Sequence, residues 1–271
     1  MDAVRSKKFG FSTCEELFGG SREEYLKYNY YKNYDYITVS SPEVIWAYQE
    51  AMNLPKEDKS VVPIGVSCTD LLFQEKFQKA AQKKLHDICP AAKGKKSCSM
   101  PRRSAEVWGS EGTGCHGSLS DAGEAWKRLD LLIKQHPVVK QRPEVPKECQ
   151  SFAYDVSDAF VIEELLCVSD LCISDYSSLV FEYSLFERPM LFFAYDFEEY
   201  GEWRGFYYDY HELTPGPVVH TTQEIVDYVL HLKERFDRKQ VADFKEKFMS
   251  ACDGHATERL LEMIKKEKTD E

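Results

Sequence analysis

The pattern of apolar and polar positions predicts strands and helices that alternate along the chain. Short apolar runs rich in β-branched residues occur at 36–40 and 61–65, and apolar residues recur at helical spacing between them. Ser41 and Pro42 are typical of a helix start. A strand, a helix and a strand in this order predict a parallel pair of strands with the helix packed on one face.

The second half of the chain continues this alternation. Four more strands are predicted, at 129–133, 152–156, 171–174 and 189–194. Helices are predicted between and after them, at 161–168, 222–236 and 241–248. Apolar residues at helical intervals across 70–92 predict a linker helix between the two halves. The fold class is therefore α/β, with a parallel sheet covered by helices.

The change from strand to helix at 174–178 is the clearest candidate for chemistry. Ser177 and Ser178 stand where a helix N-cap belongs, between the buried run at 171–174 and the helical pattern that begins at Leu179. Serine hydroxyls and free backbone N–H groups at a helix start form a binding site for anions. An ordinary capped helix in an α/β domain is the alternative explanation.

Composition narrows the classes of function. The chain has 271 residues and a formal net charge of -11, which argues against a nucleic-acid partner. No apolar run approaches the roughly 18–20 residues of a membrane span, and the first ten residues lack the core of a signal peptide. We therefore expect a cytoplasmic protein. Its nine cysteines show no metal-ligand spacing, so reduced core thiols are expected, and no metal or other cofactor.

Several motifs occur together in one order. They are Lys134-Gln135-His136-Pro137, the stretch at 169–186, Arg188-Pro189, Arg204-Gly205-Phe206 and Pro215-Gly216-Pro217. The chain that carries them, from about Lys7 to Arg259, resembles the CDP-glycerol glycerophosphotransferases, the polyol-phosphate transferases of teichoic acid synthesis. The resemblance implies a GT-B-like fold, in which two Rossmann-like halves face each other.

This resemblance implies a division into domains. Residues 1–69 correspond to the tail of a truncated N-terminal Rossmann-like domain, on the acceptor side, because they supply about two strands. The linker helix occupies 70–96 and an irregular segment occupies 97–129. A near-complete Rossmann-like nucleotide-binding domain is expected over 130–271.

The resemblance also implies roles for individual residues. His136 corresponds to an active-site histidine that acts as a general acid or donates to the leaving phosphate. The nucleotide and phosphate site is expected to comprise Asp175, Ser177, Ser178, Glu182 and Arg204. The two serines would hold the diphosphate and Glu182 a ribose hydroxyl. Arg204 suits a bidentate phosphate contact, with a surface ion pair as the alternative. Asp175 would repel phosphate, so it is expected to brace the turn rather than to orient His136.

The activity that the resemblance implies is a transfer of glycerol phosphate. The donor is CDP-glycerol or a related cytidine-diphosphate polyol, and the acceptor is a hydroxyl of a lipid-linked molecule at the inner face of the cell membrane. Two other functions stay open. The chain could be an inactive remnant that at most binds nucleotide, or a nucleotide-sugar glycosyltransferase of the same fold.

Residues 97–129 interrupt the pattern, since they are dense in Gly, Ser, Cys and charge without apolar periodicity. One explanation is a long insertion loop. The other is a shift of reading frame. Codons can be chosen for 97–109 that encode Val-Leu-Phe-Tyr-Ala-Pro-Thr-Phe-Arg when they are read one base out of frame. That string contains the family's Tyr-Ala-Pro-Thr loop, and the frame would be recovered between about Trp126 and Asp130.

Three features of the family are missing from these 271 residues. They are the Ala-Pro-Thr loop, a Trp-His-Gly motif whose histidine is thought to act as the base, and an arginine at the position of Cys68. On these grounds we expect the transfer activity of this chain to be impaired.

Overall fold

The computed structural model describes residues 8–12, 23, 27, 31, 33–102, 129–136, 142, 144–194 and 207–270. The chain forms two compact units. Unit 1 consists of Met1–Phe73, Phe197–Leu213 and Ala242–Glu271, and unit 2 of Gln74–Asp196 and Thr214–Val241. The C-terminal residues from Ala242 onward thus belong to the same unit as the N-terminal residues, whereas the sequence assigned them to the C-terminal domain.

The described strands and helices follow the predicted alternation. The strands are β1 (Ile37–Thr38), β2 (Val61–Val62), β3 (Lys96–Arg102), β4 (Leu129–Gln135), β5 (Ala153–Asp155), β6 (Leu171–Ser174), β7 (Met190–Phe193) and β8 (Val218–Val219). The α-helices are α1 (Ile45–Met52), α2 (Glu75–Ile88), α3 (Ile162–Val168), α4 (Leu179–Ser184), α5 (Thr222–Leu230), α6 (Leu232–Arg235), α7 (Arg238–Met249) and α8 (Ala256–Asp270). The helix predicted across 70–92 is shorter in the structure, where α2 covers Glu75–Ile88 between two 3-10 turns and lies within unit 2.

Unit 2 is built on one six-stranded sheet with the strand order β5-β4-β3-β6-β7-β8. Every neighbouring pair is parallel. Numbered from β3, this is the order 3-2-1-4-5-6 of a doubly wound Rossmann sheet. The sequence predicted a near-complete domain of this type, and the strand order agrees with it.

The interior strands of this sheet are apolar because both faces of the sheet are covered. All four residues of β6 are buried. On one face, Leu171 and Ile173 join Leu131 and Ile133 of β4 in a core that also includes Ile225 of α5. Burial of these side chains fixes the strand register, since a slip of one residue would turn each of them to the opposite face.

The strand β3 corrects one expectation. Residues 97–129 were expected to be irregular, but Lys96–Arg102 forms an interior strand that pairs with β4 over seven residues and with β6 over two. Backbone hydrogen bonds can form with any sequence except at proline, so a central gap in the sheet can override a poor apolar pattern. The remainder of the segment, 103–128, lies outside the described residues.

Unit 1 contains the parallel pair β1 and β2, joined through α1 as predicted. Contacts distant in sequence connect this pair to the C-terminal helices. The Ser40 hydroxyl donates to the carbonyl of Phe248 at 2.6 Å, and Nε of Arg259 donates to the carbonyl of Ile64 at 2.9 Å. The carboxylate of Asp70 accepts from the first N–H groups of α8. It therefore caps this helix, whose N-terminal N–H groups have no partner within the helix.

Asp253 lies in the loop that precedes α8 and pairs with Arg259. This pair makes the stability of unit 1 depend on pH. The side-chain hydrogen bond with Arg259 lowers the pKa of Asp253 from about 3.9 to about 2. Because the folded pKa is depressed, the stabilisation is complete above about pH 4–5 and is lost as pH falls through about 2. The pair is half-exposed, so we expect an effect below about 1 kcal/mol.

This expectation is tested with Asp253→Asn. Urea unfolding between pH 2 and 6 should show a shallower loss of unfolding free energy in the variant than in the parent chain. Glu258, which also lies near the start of α8 and contacts His255, supplies the control Glu258→Gln. Equal acid slopes in the parent and Asp253→Asn would mean that the pair does not stabilise the fold.

Seven cysteines lie in the described part of the chain, all as free thiols, and six of them are buried. None of the helices in that part is long and apolar enough to cross a bilayer. The Arg204-Gly205-Phe206 motif lies outside the described residues.

Candidate nucleotide and phosphate site

The candidate site lies at the carboxyl edge of the unit 2 sheet. Chain connections run in one direction from β3 to β4 and β5, and in the other from β6 to β7 and β8. The order of the strands therefore reverses between β3 and β6. In open α/β sheets, ligands bind in the crevice beyond the carboxyl ends of the strands at such a point.

Ser177 and Ser178 lie at this point, in the turn between β6 and α4. Both are half-buried, and Ser178 occupies the N-cap position without making a side-chain capping bond. The Ser178 hydroxyl is thus not used to cap the helix. Since α4 has only six residues, its dipole is small, and an anion here would be held chiefly by hydroxyls and backbone N–H groups.

The other predicted contacts on this turn occupy neighbouring positions. Asp175 follows β6 directly, and Glu182 lies in the first turn of α4. Both are half-buried. Their roles as a brace and as a ribose contact stay predictions. Arg204 lies outside the described residues, so its predicted phosphate contact is not tested.

His136 follows the last residue of β4 and is half-buried. Because β4 and β6 are parallel strands of one sheet, His136 and the two serines lie at the same edge, separated by the width of β3. The spacing of neighbouring strands is about 4.8 Å, so the two strand ends lie roughly 10 Å apart. A diphosphate with its polyol is long enough to extend between them.

A network that the sequence did not indicate holds the end of β4. Nζ of Lys134 donates to the carbonyls of Ser157 at 3.0 Å and Phe160 at 2.6 Å. The backbone N–H of Gln135 donates to Oγ of Ser157 at 2.9 Å, and the N–H of Ser157 donates to Asp155 at 2.8 Å. Burial lowers the pKa of Lys134. These bonds fix the direction in which the chain presents His136.

Two polar side chains at this edge were also missed. Gln135 and Ser174 end β4 and β6, and each is only 2% exposed. Within the described residues, neither the Gln135 amide nor the Ser174 hydroxyl has a hydrogen-bond partner. A buried polar group in this state costs about 1–3 kcal/mol. The sequence signal is a polar residue at the last position of an apolar run.

Cys68 belongs to unit 1 and is exposed. It lies in the 3-10 turn Ser67–Phe73, at the position where the family resemblance implies an arginine. An exposed thiol cannot supply the cationic charge that such an arginine would bring.

Comparison with known proteins identifies the family. The model of the CDP-Glycerol:Poly(glycerophosphate) glycerophosphotransferase family matches residues 2–266. The chain belongs to this family. The glycerophosphotransferase resemblance inferred from the motifs is thereby confirmed.

This member of the glycerophosphotransferase family is similar in sequence to two curated relatives. The teichoic acid ribitol-phosphate primase of Bacillus spizizenii is 30% identical over 260 residues, covering 95% of this chain and 66% of the relative. The ribitol-phosphate polymerase TarL of Staphylococcus aureus is 33% identical over 269 residues, covering 94% of this chain and 45% of the relative. The chain thus spans about half to two thirds of these relatives.

Solved structures confirm the fold. The wall teichoic acid polymerase TagF, in a structure soaked with CDPG, aligns with a TM-score of 0.79 at 21% identity, covering 98% of this chain and 66% of that one. A Listeria monocytogenes protein described as a UDP-N-acetylglucosamine 2-epimerase aligns with a TM-score of 0.55 at 14% identity, covering 99% and 68%. The family member therefore has the GT-B-like fold that was predicted.

Proposed function

We propose that this chain takes part in the transfer of a polyol phosphate from a cytidine-diphosphate donor to a hydroxyl of a lipid-linked acceptor. The observation that carries the proposal is the pair of serine hydroxyls, Ser177 and Ser178, at the point of the Rossmann sheet where the strand order reverses. The Ser178 hydroxyl is not used to cap α4, and hydroxyls with backbone N–H groups suit a diphosphate.

The proposed reaction is a displacement at phosphorus. The acceptor hydroxyl attacks the β-phosphorus of the donor, the bond from this phosphorus to the bridging oxygen breaks, CMP leaves, and the hydroxyl proton is released to solvent. His136 stabilises the leaving phosphate by donating a hydrogen bond or a proton. Ser177, Ser178 and Arg204 hold phosphate oxygens, Glu182 accepts from the ribose, and Asp175 braces the turn. Catalysis then depends on positioning and charge stabilisation.

Glycerol and ribitol are the two candidate polyols. Glycerol phosphate follows from the motifs and from the family description. Ribitol phosphate is favoured by the relatives, since four ribitol-phosphate enzymes match 94–95% of the chain at 30–33% identity. A glycerol-phosphate transferase at 37% identity matches only 49% of it. Parallel titrations with CDP-glycerol and CDP-ribitol decide between them. The donor that binds with the higher affinity is the one to be assigned to this chain.

The two serines provide the test of the donor site. The double variant Ser177→Ala, Ser178→Ala removes two hydroxyl donors, each contributing about 0.5–1.5 kcal/mol. We expect the affinity for the CDP-polyol to fall roughly 5- to 150-fold, while the backbone N–H groups preserve weak binding. Isothermal titration calorimetry of parent and variant with both donors measures this change.

The control for this experiment is Ser184→Ala, in the same helix. The Ser184 hydroxyl is buried and donates to the carbonyl of Phe181 at 2.6 Å, so its loss should affect stability and not donor affinity. If the double variant bound the donor as well as the parent did, the diphosphate site would have to lie elsewhere.

We also propose that the chain works at the membrane surface, where a lipid-linked acceptor is found. Flotation with vesicles that contain the acceptor lipid tests this location. We expect the chain to float with the vesicles only when they contain the acceptor lipid. If it did not float at any density of that lipid, the proposed location at the membrane surface would be wrong.

A further inference from the structure

The two halves of the candidate donor site are aligned through β3. His136 follows β4, the turn with Ser177 and Ser178 follows β6, and β3 lies between these two strands. β4 and β6 are not neighbours in the sheet, and each is paired with β3 instead. The offset of His136 from the two serines along the strand direction is therefore set by two registers, that of β3 against β4 and that of β3 against β6.

A small error in either register would separate the two halves of the site. Successive residues of a strand are about 3.3 Å apart, whereas the atoms of a hydrogen bond must lie at roughly 2.7–3.2 Å. A slip of one residue would thus move His136 out of reach of a phosphate group that the serines hold. A donor that contacts both strand ends requires β3 to keep one register.

The packing of β3 specifies this register only weakly. Ser97, Cys98 and Ser99 are successive residues of similar size, and each is at most 1% exposed. A shift by one residue would exchange serine and cysteine side chains between the two faces of the sheet. In a strand of alternating apolar and polar residues, the same shift would turn the apolar set away from the core. Met100 adds little, because methionine is flexible enough to fill gaps of different shapes.

Polar contacts at the amino end of β3 specify the register instead. On the β4 side, Nζ of Lys95 lies 3.0 Å from Oδ1 of Asp130. Asp130 is fully buried and is the ladder partner of Ser97. Its other oxygen, Oδ2, has no hydrogen-bond partner in the described part of the chain. Burial raises the pKa of Asp130 more than Lys95 lowers it. Buried ion pairs of this kind add little to stability, and their best-attested role is to fix a register.

On the β6 side, Asp170 exchanges two hydrogen bonds with Ser97. The N–H of Ser97 donates to Oδ2 of Asp170 at 2.9 Å, and the N–H of Asp170 donates to the carbonyl of Ser97 at 2.7 Å. Asp170 is itself fixed in place. The carbonyl of Ser169, the residue before it, accepts from Oη of Tyr183 at 3.0 Å and from Nη1 of Arg188 at 2.7 Å. The same end of β3 is thus held from both sides.

We propose that Asp130 and Asp170 are positioning residues of the donor site. Together with Lys95 they form a register clamp, which fixes β3 against β4 and β6 and thereby fixes the offset between His136 and the serine turn. The register clamp lies at the amino edge of the sheet. His136 is six positions after Asp130, or roughly 20 Å along the strand, so the clamp acts on the donor without touching it. Its role in donor binding rests on the proposed function, whereas its role in the register does not.

The triple variant Lys95→Met, Asp130→Val, Asp170→Ala removes the register clamp from the full chain. Apolar residues in place of a buried ion pair often leave stability unchanged or raise it, so this variant separates register from folding. We expect amide hydrogen exchange across 96–102 to become at least about tenfold faster, because alternative registers interrupt the ladder. Mass spectrometry of peptic fragments measures this exchange.

Calorimetric titration of the same samples measures donor binding. CDP-ribitol and CDP-glycerol would reach both strand ends, whereas CMP would reach only the serine turn. In the triple variant, the affinity for the CDP-polyol should fall at least about tenfold, which corresponds to one lost hydrogen bond to a charged group. The affinity for CMP should stay as in the parent. A general loss of stability would lower both affinities alike.

Two controls complete the experiment. Asp170→Asn keeps a side-chain oxygen that can accept from the N–H of Ser97, so it should behave as the parent does, while Asp170→Ala should not. Asp170→Ala also leaves the buried ion pair intact and gives the same comparison if the triple variant does not fold. The double variant Lys84→Met, Glu164→Gln removes an ion pair between α2 and α3 of the same unit. It should change neither the exchange of β3 nor the ratio of the two affinities.

Exchange across 96–102 at the parent's rate, or an unchanged ratio of CDP-polyol to CMP affinity, would overturn the proposal. A parent chain that bound CMP as tightly as both CDP-polyols would instead contradict the proposed function. The exchange measurement would then still decide whether the clamp sets the register of β3.

Discussion

Restoring the reading frame is expected to raise the rate of polyol-phosphate transfer, which we expect to be low in the chain as given, by about 10²-fold or more. The change inserts one base before codon 97 and removes one between codons 126 and 130. It is combined with an upstream Trp-His-Gly segment and Cys68→Arg. A general base contributes about 10²–10⁴-fold, and the restored loop and arginine add positioning and charge stabilisation. Acceptor-dependent CMP release from CDP-glycerol and CDP-ribitol is the measurement.

His136→Ala in the restored background is the internal control. It should reduce the regained rate by about 10²–10⁴-fold, and binding of the donor should change much less than the rate. Because catalytic groups act on one transition state, the separate losses need not multiply. Acceptor-dependent CMP release by the unrestored chain at the restored rate would show that the catalytic groups have been assigned wrongly.

The second large effect is expected from Gly65→Ala in unit 1. Gly65 has a φ of +90°, and a Cβ added there would lie 2.3 Å from the carbonyl oxygen of Ala251 and 2.9 Å from Cβ of Ala256. The backbone on both sides would have to move. Left-handed strain and overpacking together are expected to lower the free energy of unfolding by about 2–5 kcal/mol.

Gly94→Ala supplies the matched control. Gly94 has a similar φ of +85°, but within the described part of the chain no atom beyond its chain neighbours lies within 4 Å of an added Cβ. Its substitution isolates the backbone strain, which should cost about 1–2 kcal/mol. Urea unfolding of both variants, followed by circular dichroism and by hydrogen exchange in β1, measures the difference. Equal losses would mean that the packing of Gly65 against the C-terminal segment contributes nothing.

The elements predicted best from the sequence are those whose pattern of apolar and polar residues depends on burial alone. The apolar run of β6 gave both ends of the strand, Leu171 and Ser174, because an interior parallel strand is covered on both faces. The turn with Ser177 and Ser178 followed from the change of period after it. His136 was predicted at a strand end and follows β4 directly.

The strand β3 could not be predicted, because its own residues argue against it. Ser97 and Ser99 are buried hydroxyls, and Pro101 lacks the N–H group that an interior strand uses on a neighbour. The place of β3 is set by β4 and β6 on either side, which is information from distant parts of the chain.

The network around Ser157 and the division into units escaped prediction for a related reason. A backbone carbonyl accepts from a lysine wherever the fold brings them together, so the bonds of Lys134 leave no trace in the local pattern. Similarly, the helical period of α8 indicates which face is buried but not which unit covers it.

The three-part composition of unit 1 determines the order in which the protein can fold during its synthesis. The contacts between Gly65 and the segment at Ala251 and Ala256 join positions about 190 residues apart. At about 5–20 residues per second, the ribosome needs roughly 10–40 s to make the intervening chain. Unit 2 is complete in the nascent chain before α8 exists. The N-terminal strands therefore cannot make these contacts until α8 has left the exit tunnel.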